Sequence, residues 1–511
     1  MATTLLAMLE AVARRRPEDT ALEWHDSRWL YGELFAAAAG VAATLARLNI
    51  GRGERVAFLL GNCPHYVALY YGTLAAGCVA VPLNAQEPAP VLVRQIEHSG
   101  ARIVFGDTSQ VRWPQLAGAL QPLGIPAYPI AVEDGLQSAA AFIRDFFPTP
   151  GSADTASANA VLDDERRLAC LLYTSGTTGA PKGVMLSHRN LASNTSSIIA
   201  YLGLSRDDVG LCALPFHFSY GNSVLHTHLA AGARLVIEDG FAFPQVILQR
   251  LQDHGVTGFA GVPTTYAMLL SRPRLGNFDL RALRYLTQAG GPMPRHLVQR
   301  LRTELPHARL YLMYGQTEAT ARLTYLPPER LEDKCDSVGI AVPGVEISVL
   351  RSDGSELASG ETGEICARGP SIMLGYWHNP EATAQALRHG WLWTGDLGFR
   401  DTDGYLHIVG RAADMIKTGA YRVSPQEVEE VIAALPGVED VCVSGIPDAL
   451  FGQAVKAVII PRPGEHLDER DIKAHCRKLL APYKRPKVVE LASALPRTAS
   501  GKLQRYKLAQ Q

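Results

Sequence analysis

The sequence is poor in features that mark several large classes of protein. Aromatic residues make up only 7% of its 511 residues, and the formal net charge is −1, from 49 basic and 50 acidic side chains. A chain without an excess of Lys and Arg is a poor ligand for nucleic acid or an anionic membrane, so we expect neither as a partner. No two of the eight cysteines stand at CxxC spacing, which argues against a zinc site and a disulfide framework. We expect reduced thiols in a cytoplasmic protein.

One uncharged run, residues 66–83, has the length of a membrane span but not its composition. It contains Gly72, Gly77 and Pro82, which favour a break inside the run. We therefore predict a buried helix that runs into a strand, and no membrane span. The N-terminal residues carry no basic segment ahead of an apolar core, so we expect no signal peptide.

Glycine and hydroxyl side chains are concentrated in residues 173–183, which read YTSGTTGAPKG. This stretch holds five hydroxyl-bearing residues, three glycines and one lysine, and it follows the apolar run 168–172. A strand that ends in such a loop presents unobstructed backbone N–H groups, hydroxyl donors and the charge of Lys182, which suits a polyphosphate. The Walker pattern GxxxxGK[ST] is absent. A polar surface loop rich in Ser, Thr and Gly is the alternative.

Two further stretches predict strands that end in tight turns with candidate site residues. Residues 311–318 read YLMYGQTE, and Glu318 suits Mg²⁺, because one or two protein carboxylates suffice when ATP phosphates supply the other ligands. Standing alone, Glu318 would equally fit an exposed acid that a helix dipole favours. Residues 211–223, LCALPFHFSYGNS, surround His217 with aromatic side chains, and a lone histidine of this kind is more often a packed core residue than a catalyst.

Four shorter strings complete the pattern: QAGGP at 288–292, TGD at 394–396, GR at 410–411 and PRTASGK at 496–502. Glycines let the backbone approach a flat ring closely. Asp396 lies in a Gly-flanked turn, where a carboxylate is placed to accept hydrogen bonds from two hydroxyl groups. Lys502 by itself would fit a solvated tail.

These strings occur in one order along about residues 10–505, and together they resemble the adenylate-forming superfamily of acyl-CoA synthetases, aryl-CoA ligases, luciferases and peptide-synthetase adenylation domains. The resemblance implies an α/β fold, with a large N-terminal α/β domain at residues 1–411 and a small mobile α+β C-terminal domain at 412–511. It implies an active site in the cleft between them. In the small domain, Ser424 before Pro425 predicts a capped helix over 424–435.

The resemblance also implies the roles of individual residues. Those that bind ATP would be Thr174, Ser175, Gly176, Thr177, Thr178, Gly179, Lys182, Gly290, Gly291, Pro292, Tyr314, Gly315, Asp396 and Arg411. The catalytic residues would be Lys502, Thr317, Glu318 and His217, with Glu318 also holding Mg²⁺. The acyl group would lie against Phe218, Tyr220, Tyr266 and Gly290.

The implied reaction has two halves. The carboxylate of a small-molecule acid attacks the α-phosphate of Mg-ATP, giving acyl-AMP and pyrophosphate, and the thiol of CoA displaces AMP after the small domain rotates. Lys502, Lys182 and Mg²⁺ would neutralise charge that develops in the first half. Relatives that activate amino acids carry an aspartate for the substrate's ammonium group, but no Asp or Glu occurs between Leu211 and Ile237. We expect a plain carboxylic acid, hydrophobic or aromatic rather than acetate.

The hinge departs from the superfamily pattern. Relatives usually place Asp or Lys two residues after the arginine as the pivot of the rotation, whereas this chain has Ala413 there and Asp414 next. Either Ala413 is an unusual hinge, or Asp414 serves in a shifted register.

Three alternatives stay open from the sequence. A stand-alone ligase would load the acyl group onto the phosphopantetheine of an acyl carrier protein, whose thiol arm is the same as that of CoA. A non-catalytic nucleotide-binding protein on this fold would be expected to lack at least one of the polar residues named above, and all are present. A luciferase-like oxygenase has no residue that supports it.

Overall fold

The computed structural model describes residues 4–110, 112–132, 165–174, 182–241, 243–271, 275–412, 414–418, 421–448, 451–497 and 503–508. Its packing divides the chain into two units. Unit 1 consists of Met1–Ile347 and Ala367–Leu392, and unit 2 of Ser348–Cys366 and Trp393–Gln511. The sequence predicts that a mobile C-terminal domain begins at residue 412. This domain boundary is a different division from the two packing units, and it stays a prediction.

Helices and strands alternate along most of the chain, which confirms the mixed α/β class. The strands are β1 Thr20–Trp24, β2 Ser27–Leu30, β3 Arg55–Leu59, β4 Val79–Pro82, β5 Ala101–Asp107, β6 Ala127–Ile130, β7 Leu168–Thr174, β8 Lys182–Ser187, β9 Val209–Cys212, β10 Arg234–Ile237, β11 Gly258–Gly261, β12 Tyr285–Gln288, β13 Arg309–Tyr314, β14 Thr324–Tyr325, β15 Ile340–Ala341, β16 Glu346–Leu350, β17 Gly363–Arg368, β18 Gly375–Tyr376, β19 Leu387–Arg388, β20 Trp391–Arg400, β21 Leu406–Arg411, β22 Ile416–Thr418, β23 Tyr421–Val423, β24 Val438–Asp448, β25 Gly452–Pro461 and β26 Val488–Leu491. The helices are α1 Leu5–Arg15, α2 Tyr31–Arg47, α3 Pro64–Ala75, α4 Ala89–Ser99, α5 Trp113–Leu120, α6 His188–Leu202, α7 Ser219–Ala231, α8 Pro244–Asp253, α9 Pro263–Ser271, α10 Arg295–Glu304, α11 Pro380–Ala386, α12 Pro425–Ala433, α13 Glu469–Leu479 and α14 Arg505–Leu508.

Unit 1 contains two large sheets. The first has the strand order β18-β8-β7-β4-β3-β5-β6, and the second the order β15-β14-β13-β12-β11-β9-β10-β1-β2. In the second sheet β9, β10, β11, β12 and β13 run parallel to one another, and β14 is antiparallel to β13. The carboxyl ends of the parallel strands therefore meet at one edge, where open α/β sheets usually bind ligands.

The uncharged run of residues 66–83 forms the predicted buried helix and strand. All twelve residues of α3 are buried, and the chain then enters β4 through a turn at Gly77, whose φ is +70°. A helix buried on every side is apolar all round, which explains the absence of charge. None of the helices in the described ranges combines the length and apolar character that a bilayer crossing needs.

Unit 2 contains the sheet β23-β22-β25-β24, to which β26 adds beside β25. Its core side chains come from β24, β25, α12 and α13, and include Val443, Ala457, Ile432 and Ile472. The predicted cap of α12 is confirmed, because the side chain of Ser424 accepts a hydrogen bond from the N–H of Glu427 and proline occupies the first helical turn. A further sheet of the protein, not confined to unit 2, has the order β16-β17-β20-β19, with β21 beside β20.

Candidate active site

Three of the strings that the sequence singles out in unit 1 follow the carboxyl ends of parallel strands. Residues 213–218 follow β9, residues 289–292 follow β12, and residues 315–318 follow β13, and these strands belong to one sheet. Three strings that are far apart in sequence therefore emerge at one edge of that sheet.

The turn after β13 is folded back so tightly that it requires glycine at its start. A Cβ added at Gly315 would lie 1.9 Å from the carbonyl oxygen of Ala321, far inside contact distance. Thr320 takes a φ of +67°, a costly conformation for a β-branched residue, and its hydroxyl donates a hydrogen bond to Ser371 O at 2.7 Å. This tight turn holds Thr317 and Glu318 in fixed positions.

Thr317 lies against the start of α7. Its hydroxyl donates a hydrogen bond to Ser219 Oγ at 3.2 Å. The contact joins the YGQTE motif to the segment of His217 and Phe218, whose rings lie 4.3 Å apart between centroids. Two of the predicted catalytic strings are thus neighbours in space.

Tyr376 connects Glu318 with Lys182. Its hydroxyl donates a hydrogen bond to Glu318 Oε1 at 2.8 Å, and Lys182 Nζ lies 5.1 Å from the centroid of its ring. Strand β18 brings Tyr376 there by pairing antiparallel with β8, which places Tyr376 opposite Val184. At the end of the β7–β8 pair, Thr174 lies opposite Lys182.

Sequence reasoning gave Tyr376 no role, because the pairing of β8 with β18 is not a local feature of the chain. We predict that Tyr376→Phe raises the concentration of Mg-ATP needed for half-maximal rate about tenfold, since a hydrogen bond to a charged group is lost while the ring below Lys182 stays. Pyrophosphate release measured against Mg-ATP checks this, with Tyr128→Phe on the surface as the control. An unchanged Mg-ATP dependence would contradict the positioning role.

His217 is a neutral side chain at physiological pH. Burial lowers its pKa from 6.5 to about 4, and its Nε2 atom is buried without a hydrogen-bond partner among the described residues. An uncharged imidazole with an unsatisfied polar nitrogen is able to donate or accept one hydrogen bond, but it supplies no positive charge to an anionic substrate.

The lowered pKa of His217 predicts a loss of stability in acid. Between pH 6.5 and about 4 the unfolded chain binds a proton that the folded chain does not, so stability falls as the pH falls through this window. We expect the loss of unfolding free energy between pH 7.5 and 5 to be about 1–2 kcal/mol smaller in His217→Gln than in the wild type. Thermal and urea unfolding at both pH values measure it, with the exposed His466→Gln as control. Equal losses in all three proteins would refute the assignment.

The predicted acyl-pocket residues differ in their exposure. The ring of Tyr220 is fixed by its hydroxyl, which is 2.9 Å from both the carbonyl and the hydroxyl oxygen of Thr287. Tyr266 is fully buried, and its hydroxyl donates a hydrogen bond to Thr287 O at 2.8 Å. Phe218 is half-buried. The pocket role of all three stays a prediction.

The QAGGP turn presents open backbone. Gly290, Gly291 and Pro292 are exposed, and Gly290 has a φ of +89°, which favours glycine. The side-chain amide of Gln288 donates a hydrogen bond to Gly291 O at 2.7 Å and so fixes the turn. Tyr314, at the end of β13, is buried, with 8% of its surface exposed.

In unit 2, Asp396 and Arg411 form an ion pair. Arg411 Nε lies 3.0 Å from Asp396 Oδ1, in the β20–β21 pair where the two residues face each other. Asp396 is only 5% exposed, whereas about half of the Arg411 side chain reaches solvent. Thr394 fixes the turn, because its hydroxyl accepts a hydrogen bond from Asp396 N at 3.1 Å.

Seven predicted site residues lie outside the described residues. They are Ser175, Gly176, Thr177, Thr178, Gly179, Ala413 and Lys502. Their neighbours are described: Arg497 pairs with Leu503, and the guanidinium of Arg505 lies 3.8 Å from Asp414 and 2.6 Å from Glu429. Arg505 thus connects Asp414 with α14.

The donor set of unit 1 fits Mg²⁺ held jointly with ATP. In the described ranges no group of three or more His, Cys, Asp and Glu side chains could hold a metal alone. The Glu318 carboxylate, whose orientation Tyr376 fixes, matches the one or two protein ligands that Mg²⁺ uses when phosphates complete its shell.

The fold and this site define an adenylate-forming enzyme. More narrowly, the chain belongs to the AMP-binding enzyme family: residues 9–377 match the AMP-binding enzyme and residues 427–502 its C-terminal domain. It is 34% identical to a feruloyl-CoA synthase of an Amycolatopsis species over 96% of this chain and 95% of that protein. ATP-bound MatB from Rhodopseudomonas palustris has a TM-score of 0.90 at 32% identity and covers 100% of this chain and 99% of its own. The structure of o-succinylbenzoate CoA synthetase from Bacillus subtilis with its acyl-adenylate intermediate has a TM-score of 0.86 at 28% identity. The match covers 98% of this chain and 97% of that one.

These likenesses establish the reaction. The chain is an acid–thiol ligase, an AMP-forming acyl-CoA synthetase that uses ATP and Mg²⁺ to convert a carboxylic acid to acyl-AMP and then forms a thioester with CoA. The superfamily resemblance and the implied cofactors are confirmed.

Proposed function

We propose that Lys182, Thr317 and Glu318 form the part of the synthetase that binds the ATP phosphates. The observation that supports this most strongly is Tyr376, whose hydroxyl contacts Glu318 and whose ring lies below Lys182. A cation and a carboxylate held apart by one tyrosine remain separately available, Lys182 to phosphate oxygens and Glu318 to Mg²⁺. The bound Mg²⁺ supplies charge neutralisation at the phosphates.

In the first half-reaction an oxygen of the substrate carboxylate attacks the α-phosphorus, and the bond from that phosphorus to the pyrophosphate oxygen breaks. Two anions have to approach each other, so positive groups and hydroxyl donors lower the barrier. We assign Lys502 and Thr317 to the α-phosphate. In the second half-reaction the thiol sulfur attacks the acyl carbon, and AMP leaves with the oxygen of the former carboxylate.

We assign the nucleoside to three places in the chain. Asp396 would accept hydrogen bonds from the two ribose hydroxyls, and Arg411 would support the same groups. The open backbone at Gly290 and Gly291 is suited to a flat base, because no side chain stands in the way. Tyr314 would pack on the base.

We propose a plain carboxylic acid with a hydrophobic or aromatic body as the substrate. The absence of Asp and Glu between residues 211 and 237 supports an acid without an α-ammonium group. The aromatic side chains of Phe218 and Tyr220 support a hydrophobic or aromatic body. Relatives are named for acids as different as feruloyl and long-chain fatty acyl groups. We also propose a cytoplasmic location, supported by eight free cysteine thiols.

The experiment that tests this function is pyrophosphate release by the purified protein with Mg-ATP and a panel of carboxylic acids, each with and without CoA. We expect release with at least one acid, coupled to a CoA thioester. Release without any CoA product would move the acceptor to the phosphopantetheine of an acyl carrier protein. No release with any acid would overturn the proposal.

A further inference from the structure

Arg322 is a buried cation that has no carboxylate partner in the described part of the chain. Only 3% of its surface is exposed, and among the described residues it takes part in no ion pair. Its Nε atom is buried and has no hydrogen-bond partner there. A buried charge is costly unless an opposite charge or a set of acceptors compensates it, so an arginine in this state calls for an anion.

The protein holds Arg322 in place without neutralising it. Its guanidinium carbon lies 4.0 Å from the centroid of the Tyr220 ring, and the hydroxyl of Tyr220 is fixed at Thr287. The backbone oxygen of Arg322 accepts a hydrogen bond from the side chain of Asn194 at 3.0 Å. The planar guanidinium is therefore positioned before any ligand arrives, which suits two-point binding of a carboxylate.

Arg322 lines a narrow cavity of about 20 Å³, which has room for about one water-sized group. The other polar side chains in its wall include Ser223, Thr227 and Tyr285. His228 is there as well, but burial lowers its pKa and its two nitrogens contact Val224 O and the Tyr285 hydroxyl. Arg322 is consequently the one charged side chain among those that line this cavity.

The carboxylate of Asp208, which acts on the neighbouring His228 of this cavity, is already paired with another arginine. Asp208 lies 2.8 and 2.9 Å from Arg284 Nη2 and accepts a hydrogen bond from the Thr257 hydroxyl at 2.8 Å. These contacts lower the pKa of Asp208, although its burial opposes them. Asp208 therefore serves Arg284, and the charge of Arg322 is left for a ligand.

One wall of the cavity is a face of α7, the helix whose first residue contacts the turn of Thr317. Ser219, which accepts the hydrogen bond of Thr317, begins that helix, and Ser223 and Thr227 follow at four and eight residues. At the rise of an α-helix these positions lie about 6 and about 12 Å further along the axis. An acid whose reacting carboxylate lies near Thr317 would extend its other end toward Arg322.

We propose that the acid activated by this synthetase carries a second anionic group, such as a distal carboxylate, and that Arg322 binds it. This inference rests on the proposed function, because it concerns the far end of the same substrate. It deepens the expectation of a hydrophobic or aromatic acid: the body is apolar, and the end remote from the reacting carboxylate is charged. A neutral end would leave the guanidinium buried and unpaired.

The test compares acids with the same carbon skeleton that differ in the second charge: hexanoate with adipate, octanoate with suberate, and benzoate with isophthalate. We expect the wild type to favour one diacid over its monoacid by about 100-fold in kcat/KM for pyrophosphate release, since a site built for a charged group rejects an analogue that lacks it. Arg322→Met should remove that preference and leave or raise the monoacid rate. Arg322→Lys should retain part of it, and Arg302→Met on the surface should change nothing.

The outcomes separate this inference from the proposed function. If the wild type releases pyrophosphate faster with every monoacid than with its matched diacid, the synthetase stands and the role of Arg322 is wrong. If Arg322→Met does not fold, the wild-type ratio of kcat/KM for each diacid to that for its monoacid decides. A second measurement compares the thermal stabilisation of the wild type by adipate or suberate with that by the matched monoacid. Release with no acid at all would remove both proposals.

Discussion

Lys502→Ala is expected to abolish acyl-AMP formation while thioester formation from supplied acyl-AMP continues. The loss should be about 10²–10³-fold or more in pyrophosphate release, the range found when one group that stabilises charge in the transition state is removed. Both measurements use the same purified variant. One follows pyrophosphate with ATP and the acid, and the other follows the thioester with acyl-AMP and CoA.

The reason for this asymmetry lies in the charges of the two half-reactions. A carboxylate and a polyphosphate repel each other as they approach, so an ammonium group at the α-phosphate lowers the barrier of the first step. The attack of a thiol on acyl-AMP brings no second polyphosphate to the reacting atoms.

The matched control is Lys507→Ala, which removes an exposed lysine five positions further along the chain. It should leave both half-reactions at the wild-type rate. If Lys502→Ala slowed both half-reactions equally, Lys502 would act through the structure of unit 2 and not at the α-phosphate.

Local chemistry explains why the main elements of unit 1 are predictable. Glycine-rich turns after apolar runs identify strand ends, and the YGQTE turn requires Gly315 because Ala321 O occupies the place of a Cβ. The absence of charge from residues 66–83 predicts that the run is completely buried, and the burial of α3 and β4 confirms this. Such features depend on neighbours in sequence, so composition and spacing suffice.

The parts that escaped prediction depend on contacts between distant segments. Tyr376 reaches Glu318 because β18 pairs with β8, and the residues next to Tyr376 in the sequence do not predict that pairing. The sequence around Arg322 indicates no role for it, and its burial against the ring of Tyr220 depends on the tertiary structure. A charge of this kind is read from tertiary structure, since sequence alone does not give the side on which a side chain lies.

Glu318→Gln is expected to cause the second large loss, confined to the half-reaction that uses ATP. The amide has the shape of the carboxylate and still accepts a hydrogen bond from Tyr376, but it lacks the charge that binds Mg²⁺. We expect acyl-AMP formation to fall about 10²-fold, with part of the rate restored by higher Mg²⁺. Thioester formation from supplied acyl-AMP should stay near the wild-type rate, because no pyrophosphate remains to be neutralised.

The control for this variant is Glu329→Gln, an exposed acid in the same unit, which should leave the Mg²⁺ dependence unchanged. A combined variant sharpens the argument. If Glu318 acts through Mg²⁺ and Tyr376 acts by orienting Glu318, then adding Tyr376→Phe to Glu318→Gln should cost less than Tyr376→Phe costs alone, since residues in contact are not additive. Full additivity, or a Glu318→Gln protein whose rate does not respond to Mg²⁺, would show that the carboxylate serves the fold of the 315–321 turn and not the metal.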